Sequence, residues 1–296
     1  MDLIIAMRTF AEVAHAGSMN AAALKLKVSG ALVGQRIAGL EDHLQAKLLN
    51  RTTRQQKLTE FGESYLEQCR DILELVDFSE GKASDQQRLA QGRLRIAAPV
   101  SFGTSALMPA LKSFREIAPE VEIELTLSDN NEDLIAGGFD AAFRIGELED
   151  SALIQIKLAP YRMMICASGV YLEEHGEPKM PSDLNNFSAV LLSRTGRKPW
   201  RFKQGSEEQS WTPQARISVN SGQAVRVAAK AGMGVAMLPE TLIKRDISTG
   251  NLVQLLPDWS LPEQPMALIY HRDRYRPQRL TKFLDFAKSV FRNQLA

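Results

Sequence analysis

Cysteine is scarce in this sequence, which has only Cys69 and Cys166 among its 296 residues and no CxxC pair. A disulfide framework is therefore excluded, and the cysteine usage is typical of a cytoplasmic protein. No stretch approaches the roughly 18 consecutive apolar residues of a membrane-spanning helix, so no membrane partner is predicted. The first ten residues, MDLIIAMRTF, also lack the basic region, the long apolar stretch and the cleavage site of a signal peptide.

The residue patterns of common catalytic and metal sites are missing as well. The four histidines, at positions 15, 43, 175 and 271, are scattered singly and give no metal-ligand spacing. The sequence contains no P-loop and no GxSxG nucleophile motif. We therefore predict no metal, no cofactor and no catalytic residue, and we interpret the chain as a protein that is not an enzyme.

Net charge is also nearly absent, since 36 Lys and Arg balance 35 Asp and Glu to give +1. The distribution along the chain is uneven, however. Residues 1–58 carry +4, residues 59–90 carry −5 and the remainder carries +2. A basic segment next to an acidic one points to nucleic acid as a partner. At roughly 100–200 residues per domain, the length predicts two or three domains.

The basic segment predicts three helices in a helix-turn-helix arrangement. The first helix ends at Gly17, and Ser18 caps a second helix over 19–26. Ser29 then caps a third helix that runs to about Lys47, with an apolar stripe at a spacing of three and four residues. In this arrangement the last helix enters the major groove of DNA. The residue pattern by itself is also compatible with an alternative, an ordinary three-helix subdomain with a solvated basic loop that does not bind DNA.

The predicted DNA contacts lie on the exposed face of the third helix and on a β-hairpin wing over 48–59. Cations near the tip of the wing suit phosphate or minor-groove contacts. Gln35 is suited to an adenine edge, and Ala31 to a thymine methyl group. The residues predicted to contact DNA are Ser29, Gly30, Ala31, Gly34, Gln35, Arg36, Arg51, Thr53, Arg54 and Lys57.

The acidic segment predicts one long amphipathic helix. Phe61, Tyr65, Cys69, Ile72 and Val76 follow at helical spacing and form an apolar stripe. Such a stripe needs a partner, and a second copy of the helix provides one. Docking of the stripe onto its own chain is the alternative. Cys69 lies on the stripe, so we interpret it as a buried apolar residue rather than a redox sensor.

The C-terminal two thirds predict an α/β fold, because strand and helix patterns alternate. Strands are predicted at 93–98, 121–127 and 139–145, with a loop over 99–103 before a helix around 107–117, and with a helix near Asp133. A second α/β unit runs from about Met163 to Met266, and a final helix over about 277–291 returns to the first unit.

The sequence resembles the LysR-type transcriptional regulators, and the LNRTTR string at 49–54 is similar to their CrgA-like subgroup. Its departures from the family pattern lie at Ala31 and Gly34, where serines are common, and at Gln35, where an arginine is common. The resemblance is carried by Phe10, Val13, Gly17, Ser18, Ala22, Ala23, Leu26, Val28, Ser29, Val33, Ile37, Leu40, Glu41, Leu44, Leu48, Leu49, Arg51, Leu58, Thr59 and Gly62, and further along by DAAFR at 140–144 and AGMGVAMLP at 231–239.

The resemblance implies a sequence-specific regulator with a winged helix-turn-helix domain over 1–60 and a linker helix and hinge over 61–92. It further implies a two-lobed effector domain of the periplasmic-binding-protein type (type 2), with lobe I over 93–162 and 267–296 and lobe II over 163–266. Expected partners are double-stranded DNA, a small-molecule effector and a second copy of the chain through the linker helix, with further assembly to a homotetramer. Contact with RNA polymerase is left open.

By the same resemblance, the effector cleft is expected between the two lobes. Ser101 and Ser221 begin helices and are candidate donors to an anion, although simple helix capping explains them equally well. The residues expected to line the cleft are Pro99, Val100, Ser101, Phe102, Ser128, Asp129, Asn130, Arg144, Asn220, Ser221 and Gly222. A ligand-binding protein or an enzyme on the same two-lobed fold, with weakened DNA reading, is the alternative.

Overall fold

The computed structural model describes residues 1–51, 56–80, 90–129, 138–147, 153–193, 196–272 and 276–292. Thr53, Arg54, Asn130 and the helix expected near Asp133 lie outside these residues. The chain forms two compact units. The first comprises Met1–Arg93, Glu120–Glu122 and Asp273–Thr281, and the second comprises Leu94–Pro119, Ile123–Arg272 and Lys282–Ala296.

The first unit begins with three helices, as the capping residues predict. Helix α1 spans Leu3–Ala16, α2 spans Met19–Leu26 and α3 spans Gly30–Leu44. Gly17 ends α1 at φ 70°, a left-handed conformation that glycine adopts without strain. Ser18 Oγ accepts a hydrogen bond from Ala21 N at 3.1 Å, and Ser29 Oγ accepts one from Leu32 N at 3.2 Å, so both serines are N-caps.

A buried carboxylate connects α3 to the hairpin that follows it, formed by β1 (Leu49–Arg51) and β2 (Gln56–Leu58). Glu41, which is 2% exposed, accepts hydrogen bonds from Lys47 Nζ at 2.7 Å, Leu48 N at 3.0 Å and Leu49 N at 3.3 Å. Burial acts to raise the pKa of Glu41, but these hydrogen bonds and the Lys47 charge outweigh it and lower the pKa. The ionised carboxylate thus fixes the base of the wing.

Helix α4 (Glu60–Ser79) divides its apolar residues between two directions. Tyr65, Cys69 and Leu73 are buried in one core with α1 to α3. Phe61 and Ile72 remain exposed, at 46% and 39%. The prediction of a single stripe waiting for an external partner is therefore wrong in part, because half of the stripe packs on its own chain. Burial raises the pKa of Cys69 to about 11, so its thiol stays protonated.

The second unit contains two lobes, of which lobe I is built on one five-stranded β-sheet. In lobe I the strand order is β4-β3-β5-β14-β6, with β3 and β5 parallel and β14 antiparallel to both of its neighbours. The strands are β3 (Gln91–Ala98), β4 (Glu120–Leu127), β5 (Ala141–Ile145), β6 (Ile154–Lys157) and β14 (Met266–Tyr270). The final helix α10 (Gln278–Phe291) contributes Phe283 and Phe291, whose rings contact the Phe143 ring edge-on.

Lobe II contains three small sheets. In the first, β7 (Met163–Ala167) lies between β12 (Ala236–Pro239) and β13 (Val253–Leu255). The second is the parallel pair β8 (Ala189–Leu192) and β11 (Ala215–Val219), and the third is the hairpin β9 (Trp200–Gln204) and β10 (Glu207–Trp211). Its helices are α7 (Gly169–His175), α8 (Gly222–Lys230) and α9 (Glu240–Ser248), with a 3₁₀ turn at Pro181–Asn186. The buried Asp246 accepts hydrogen bonds from Arg226 and from Lys230 Nζ, the latter at 2.9 Å, and so joins α9 to α8.

The loop predicted over 99–103 is wrong. Helix begins directly after Pro99, as α5 (Val100–Phe102), continues as a π-helical turn over Gly103–Leu107 and ends as α6 (Met108–Ile117). Asp129 Oδ1 accepts a hydrogen bond from Val100 N at 3.1 Å, a helix-start partner that lies 29 residues away and is invisible to local patterns. Among the described residues, no helix combines the length and apolarity needed to cross a membrane.

Candidate functional site

The N-terminal half of α3 presents an exposed face of short side chains. Ser29, Gly30, Ala31 and Gln35 are exposed, and Gly34 is half-buried. A Cβ atom added at Gly34 would meet nothing within 4 Å. Gln35 is therefore the one long polar side chain among these five residues, and the protein itself leaves room for a larger residue at position 34.

Arg36 differs from the other residues predicted to contact DNA. Its Nη1 donates a hydrogen bond of 3.4 Å to Oγ1 of Thr9, a buried residue of α1. Thr9 in turn donates to the backbone oxygen of Ile5 at 2.7 Å. The guanidinium thus braces the flank of α3 against α1, a structural role that spacing alone did not indicate.

The wing lies directly after α3 in the chain. Asn50 pairs with Lys57 across the hairpin, and the Lys57 side chain is exposed. Arg51 ends β1, although its side chain, like Thr53 and Arg54, lies outside the described part of the chain. Gly62 holds the following helix close to this hairpin, because a Cβ there would lie 2.2 Å from Leu48 O. The position of the wing relative to α4 is therefore fixed by close contact between the backbones at Gly62 and Leu48.

A second candidate site lies between the lobes of the second unit, in a cavity of about 120 Å³. Lobe I contributes the start of α5, the end of β4 and the end of β5, while lobe II contributes the start of α8 and the end of β12. The lining residues are Pro99, Ser101, Ser128, Asp129, Arg144, Ile145, Tyr161, Met163, Leu192, Gly222, Met237, Leu238, Pro239 and Gln264.

The structure brings together some of the residues that the sequence predicted for this cleft. Those that line the cavity are Pro99, Ser101, Ser128, Asp129, Arg144 and Gly222. Phe102 is fully buried, and its ring packs against the rings of Phe143 and Phe291. Val100 and Asn220 are not among the lining residues, and Ser221 caps α8 by accepting from Ala224 N at 3.4 Å.

Sequence reasoning missed the residues contributed by the crossovers between lobes and by β7, β8 and β12. Tyr161 and Gln264 lie on the two crossovers and pair with each other, with Tyr161 N donating to Gln264 O at 2.8 Å. A usable signal existed, because both residues adjoin the boundaries predicted between the lobes, and chain crossovers of a two-lobed fold pass beneath its cleft.

One rim of the cleft is closed by direct contact between the lobes. Gln223 Nε2 donates to Thr104 Oγ1 at 2.8 Å, and Ser105 Oγ donates to Thr241 Oγ1 at 3.3 Å. Thr104 and Ser105 both lie on the π-helical turn, a distortion that is frequent at functional sites. The backbone of Gly222 approaches Ser101 so closely that an added Cβ would lie 2.5 Å from its Oγ.

The described residues contain no group of three or more His, Cys, Asp or Glu side chains arranged to hold a metal ion. What the molecule offers is an exposed helix face beside a wing and a small mixed-polarity cleft between two lobes. The family profile described as the bacterial regulatory helix-turn-helix protein, lysR family, matches residues 4–63, and that of the LysR substrate binding domain matches residues 87–292. This chain belongs to the LysR family of transcriptional regulators.

Individual LysR regulators agree with this assignment over nearly the whole chain. An uncharacterized HTH-type transcriptional regulator of Haemophilus influenzae is 32% identical over 95% of this chain and 98% of its own length. The structure of CrgA from Neisseria meningitidis is 28% identical with a TM-score of 0.63, covering 97% of this chain and 98% of that one. Full-length AphB of Vibrio cholerae is 29% identical with a TM-score of 0.62, covering 98% and 100%.

The LysR assignment confirms the predicted fold class, a winged helix-turn-helix domain followed by a two-lobed domain of the periplasmic-binding-protein type. It also confirms the predicted function, a DNA-binding transcriptional regulator with an effector-binding domain. LysR regulators bind DNA and act as oligomers that respond to effector ligands. The similar proteins named here are transcriptional regulators, and the enzyme alternative gains no support from them.

Proposed function

We propose that this LysR regulator reads its operator with the exposed face of α3 and holds the DNA backbone with the wing. The observation that carries the proposal is the exposure of Ser29, Ala31 and Gln35 at the start of a capped helix that is followed by a basic hairpin. Direct readout is assigned to Gln35, since an amide pairs bidentately with an adenine edge. Phosphate contacts are assigned to Arg54 and Lys57.

Gel-shift titration against fragments from the region beside the gene tests this assignment. Gln35→Ala is expected to lose roughly 1–3 kcal/mol on the preferred fragment, as a bidentate base contact does, and little on random DNA. Arg54→Ala is expected to weaken binding to all fragments and to reduce the slope of log K against log salt by about one unit. Equal binding of wild type to specific and random fragments contradicts the proposal.

We further propose that the protein acts in the cytoplasm, where bacterial DNA lies, as a homodimer joined by α4 that assembles further into a tetramer. The support is the exposed apolar residues Phe61, Ile72 and Leu75 on α4, which the core of the first unit leaves uncovered. Leu75→Glu is expected to shift sedimentation toward the monomer. Leu24→Glu, at an exposed leucine of α2, is the matched control and should leave the assembly unchanged. A fully assembled Leu75→Glu protein would refute this interface.

For the cleft we propose binding rather than catalysis, with a small effector that changes the arrangement of the lobes. The support is the pair of hydrogen bonds across the rim, Gln223 to Thr104 and Ser105 to Thr241, which join the lobes and must rearrange if the cleft opens. Footprinting of the upstream DNA with and without candidate metabolites tests this proposal. A footprint that no small molecule alters, in a protein that binds the DNA specifically, would argue against effector control.

A further inference from the structure

A buried phenol lies at the floor of the cleft. Tyr161 is 4% exposed, and its Oη makes no hydrogen bond to any residue that the structure describes. The Thr241 hydroxyl lies close enough to influence the pKa of the phenol, but the two groups do not meet the geometry of a hydrogen bond. A buried donor without a partner costs roughly as much as the loss of a hydrogen bond, and the large majority of buried polar groups in proteins are satisfied.

The chemistry around Oη makes it a donor. Burial raises the pKa of Tyr161. The nearby Thr241 hydroxyl lowers it and the Asp129 charge raises it, both by less than burial does, so the phenol keeps its proton. The remaining lining combines apolar side chains, such as Met163, Leu192 and Met237, with a few polar groups. A ligand that offers one hydrogen-bond acceptor and a short apolar portion fits this lining.

The dimensions of the cavity limit the size of that ligand. Its 120 Å³ lies well below the roughly 300 Å³ at which sites for drug-sized ligands begin. The arrangement seen here therefore suits a ligand smaller than a drug-sized molecule.

The position of Tyr161 also connects the ligand to the hinge. Its backbone pairs with Gln264 in both directions, N to O at 2.8 Å and O to N at 3.1 Å, where the two crossovers between lobes run side by side. Its ring contacts Phe102 edge-on, with 6.5 Å between ring centroids. A partner for Oη is thus bound to one of the two crossovers that connect the lobes.

We propose that Tyr161 determines which effector the cleft accepts, by donating a hydrogen bond to a carbonyl-type oxygen of a small molecule, either an amide or a carboxylate. The inference rests on the proposed function only in taking this cleft as the effector site. Val100, Phe102, Asn220 and Ser221 have no part in it.

Thermal unfolding of the full-length protein provides the first test, with Tyr161→Phe and Tyr171→Phe as a matched pair. Tyr171 is equally buried, but its Oη accepts a hydrogen bond from Ser188 N at 2.9 Å. Without ligand, Tyr161→Phe is expected to raise the melting temperature, because it removes an unpaired donor, and Tyr171→Phe to lower it. A lower melting temperature for Tyr161→Phe shows that Oη has a protein partner and overturns the proposal.

The second test uses three probes of similar size, namely propionamide, propionate and propylammonium. Propionamide or propionate is expected to raise the melting temperature of the wild type, and the larger of the two increases distinguishes a neutral from an anionic effector. Propylammonium offers no acceptor and is expected to leave the melting temperature unchanged. Tyr161→Phe is expected to weaken the binding about tenfold and Tyr171→Phe to leave it unchanged. Stabilisation by neither acceptor probe, or equal binding to Tyr161→Phe, overturns the proposal. Gel shifts of the same variants report separately on DNA binding, so a failure of the regulator assignment remains distinguishable.

Discussion

Replacement of Gly34 by alanine separates the stability of α3 from its fit to DNA. Gly34 lies inside α3 with ordinary helical backbone, and an added Cβ meets nothing within 4 Å. Alanine is favoured over glycine inside a helix by roughly 0.5–1 kcal/mol. Gly34→Ala is therefore expected to stabilise α3 by that amount, because the protein imposes no opposing steric cost.

The same methyl group is expected to impair binding to the operator. Gly34 lies beside the exposed Ala31 and Gln35 on the face assigned to the major groove. An extra methyl group in a close-packed contact costs about 1–3 kcal/mol, which corresponds to a fivefold or larger loss of affinity. In that case the requirement for glycine at position 34 comes from a close approach of α3 to DNA and not from packing within the protein.

Gly39→Ala is the matched control, on the same helix and with the same change. A Cβ there meets only the flexible end of Met1, with Sδ at 3.0 Å. Amide hydrogen exchange in α3 should slow by roughly two- to fivefold in both variants, which corresponds to the gain of about 0.5–1 kcal/mol. Gel shifts should show weaker DNA binding for Gly34→Ala alone. Wild-type affinity in Gly34→Ala would refute the close approach, and faster exchange would refute the stability argument.

Further predictions concern the cleft and two buried carboxylates. Gly222→Ala places a methyl group against Ser101, so it is expected to hold the lobes apart and to weaken effector binding in calorimetry. Gly169→Ala is the control, because a Cβ there meets nothing within 4 Å, and it should leave effector binding unchanged. Glu41→Gln is expected to destabilise the winged domain by about 1–3 kcal/mol in urea unfolding, because Leu48 N and Lys47 lose a charged acceptor. Since the pKa of Glu41 is lowered on folding, its stabilisation is complete above its unfolded pKa near 4.5 and is lost as the pH falls through the folded value, which unfolding curves in acid will show. Asp246→Asn should destabilise lobe II by a similar amount, with no change in DNA affinity.

The sequence predicted local features well and long-range ones poorly. Gly17, Ser18 and Ser29 act through neighbours within a few residues, so their helix boundaries were readable from the printed chain. The helix start at Val100 depends on Asp129, and the floor of the cleft depends on the pairing of Tyr161 with Gln264. Such contacts join residues far apart in sequence and leave no periodic signal.

The linker helix shows the same limit in another form. Its spacing correctly gave an amphipathic helix, but spacing cannot tell which partner covers which part of the apolar surface. The structure assigns Tyr65 and Cys69 to the core of the chain itself and leaves Ile72 and Leu75 open. Two adjoining apolar stripes that pack on different surfaces give almost the same spacing of apolar residues in the sequence as one broad apolar stripe.

The placement of β14 affects the order in which the parts of the protein can fold during synthesis. This strand comes from residues 266–270, yet it lies between β5 and β6 and pairs with both of them. On the ribosome, lobe II and the winged domain are complete before β14 has been synthesised, whereas lobe I lacks an inner strand until almost the end of translation. A nascent or prematurely terminated chain can thus carry a finished DNA-reading head without the lobe that completes the effector cleft.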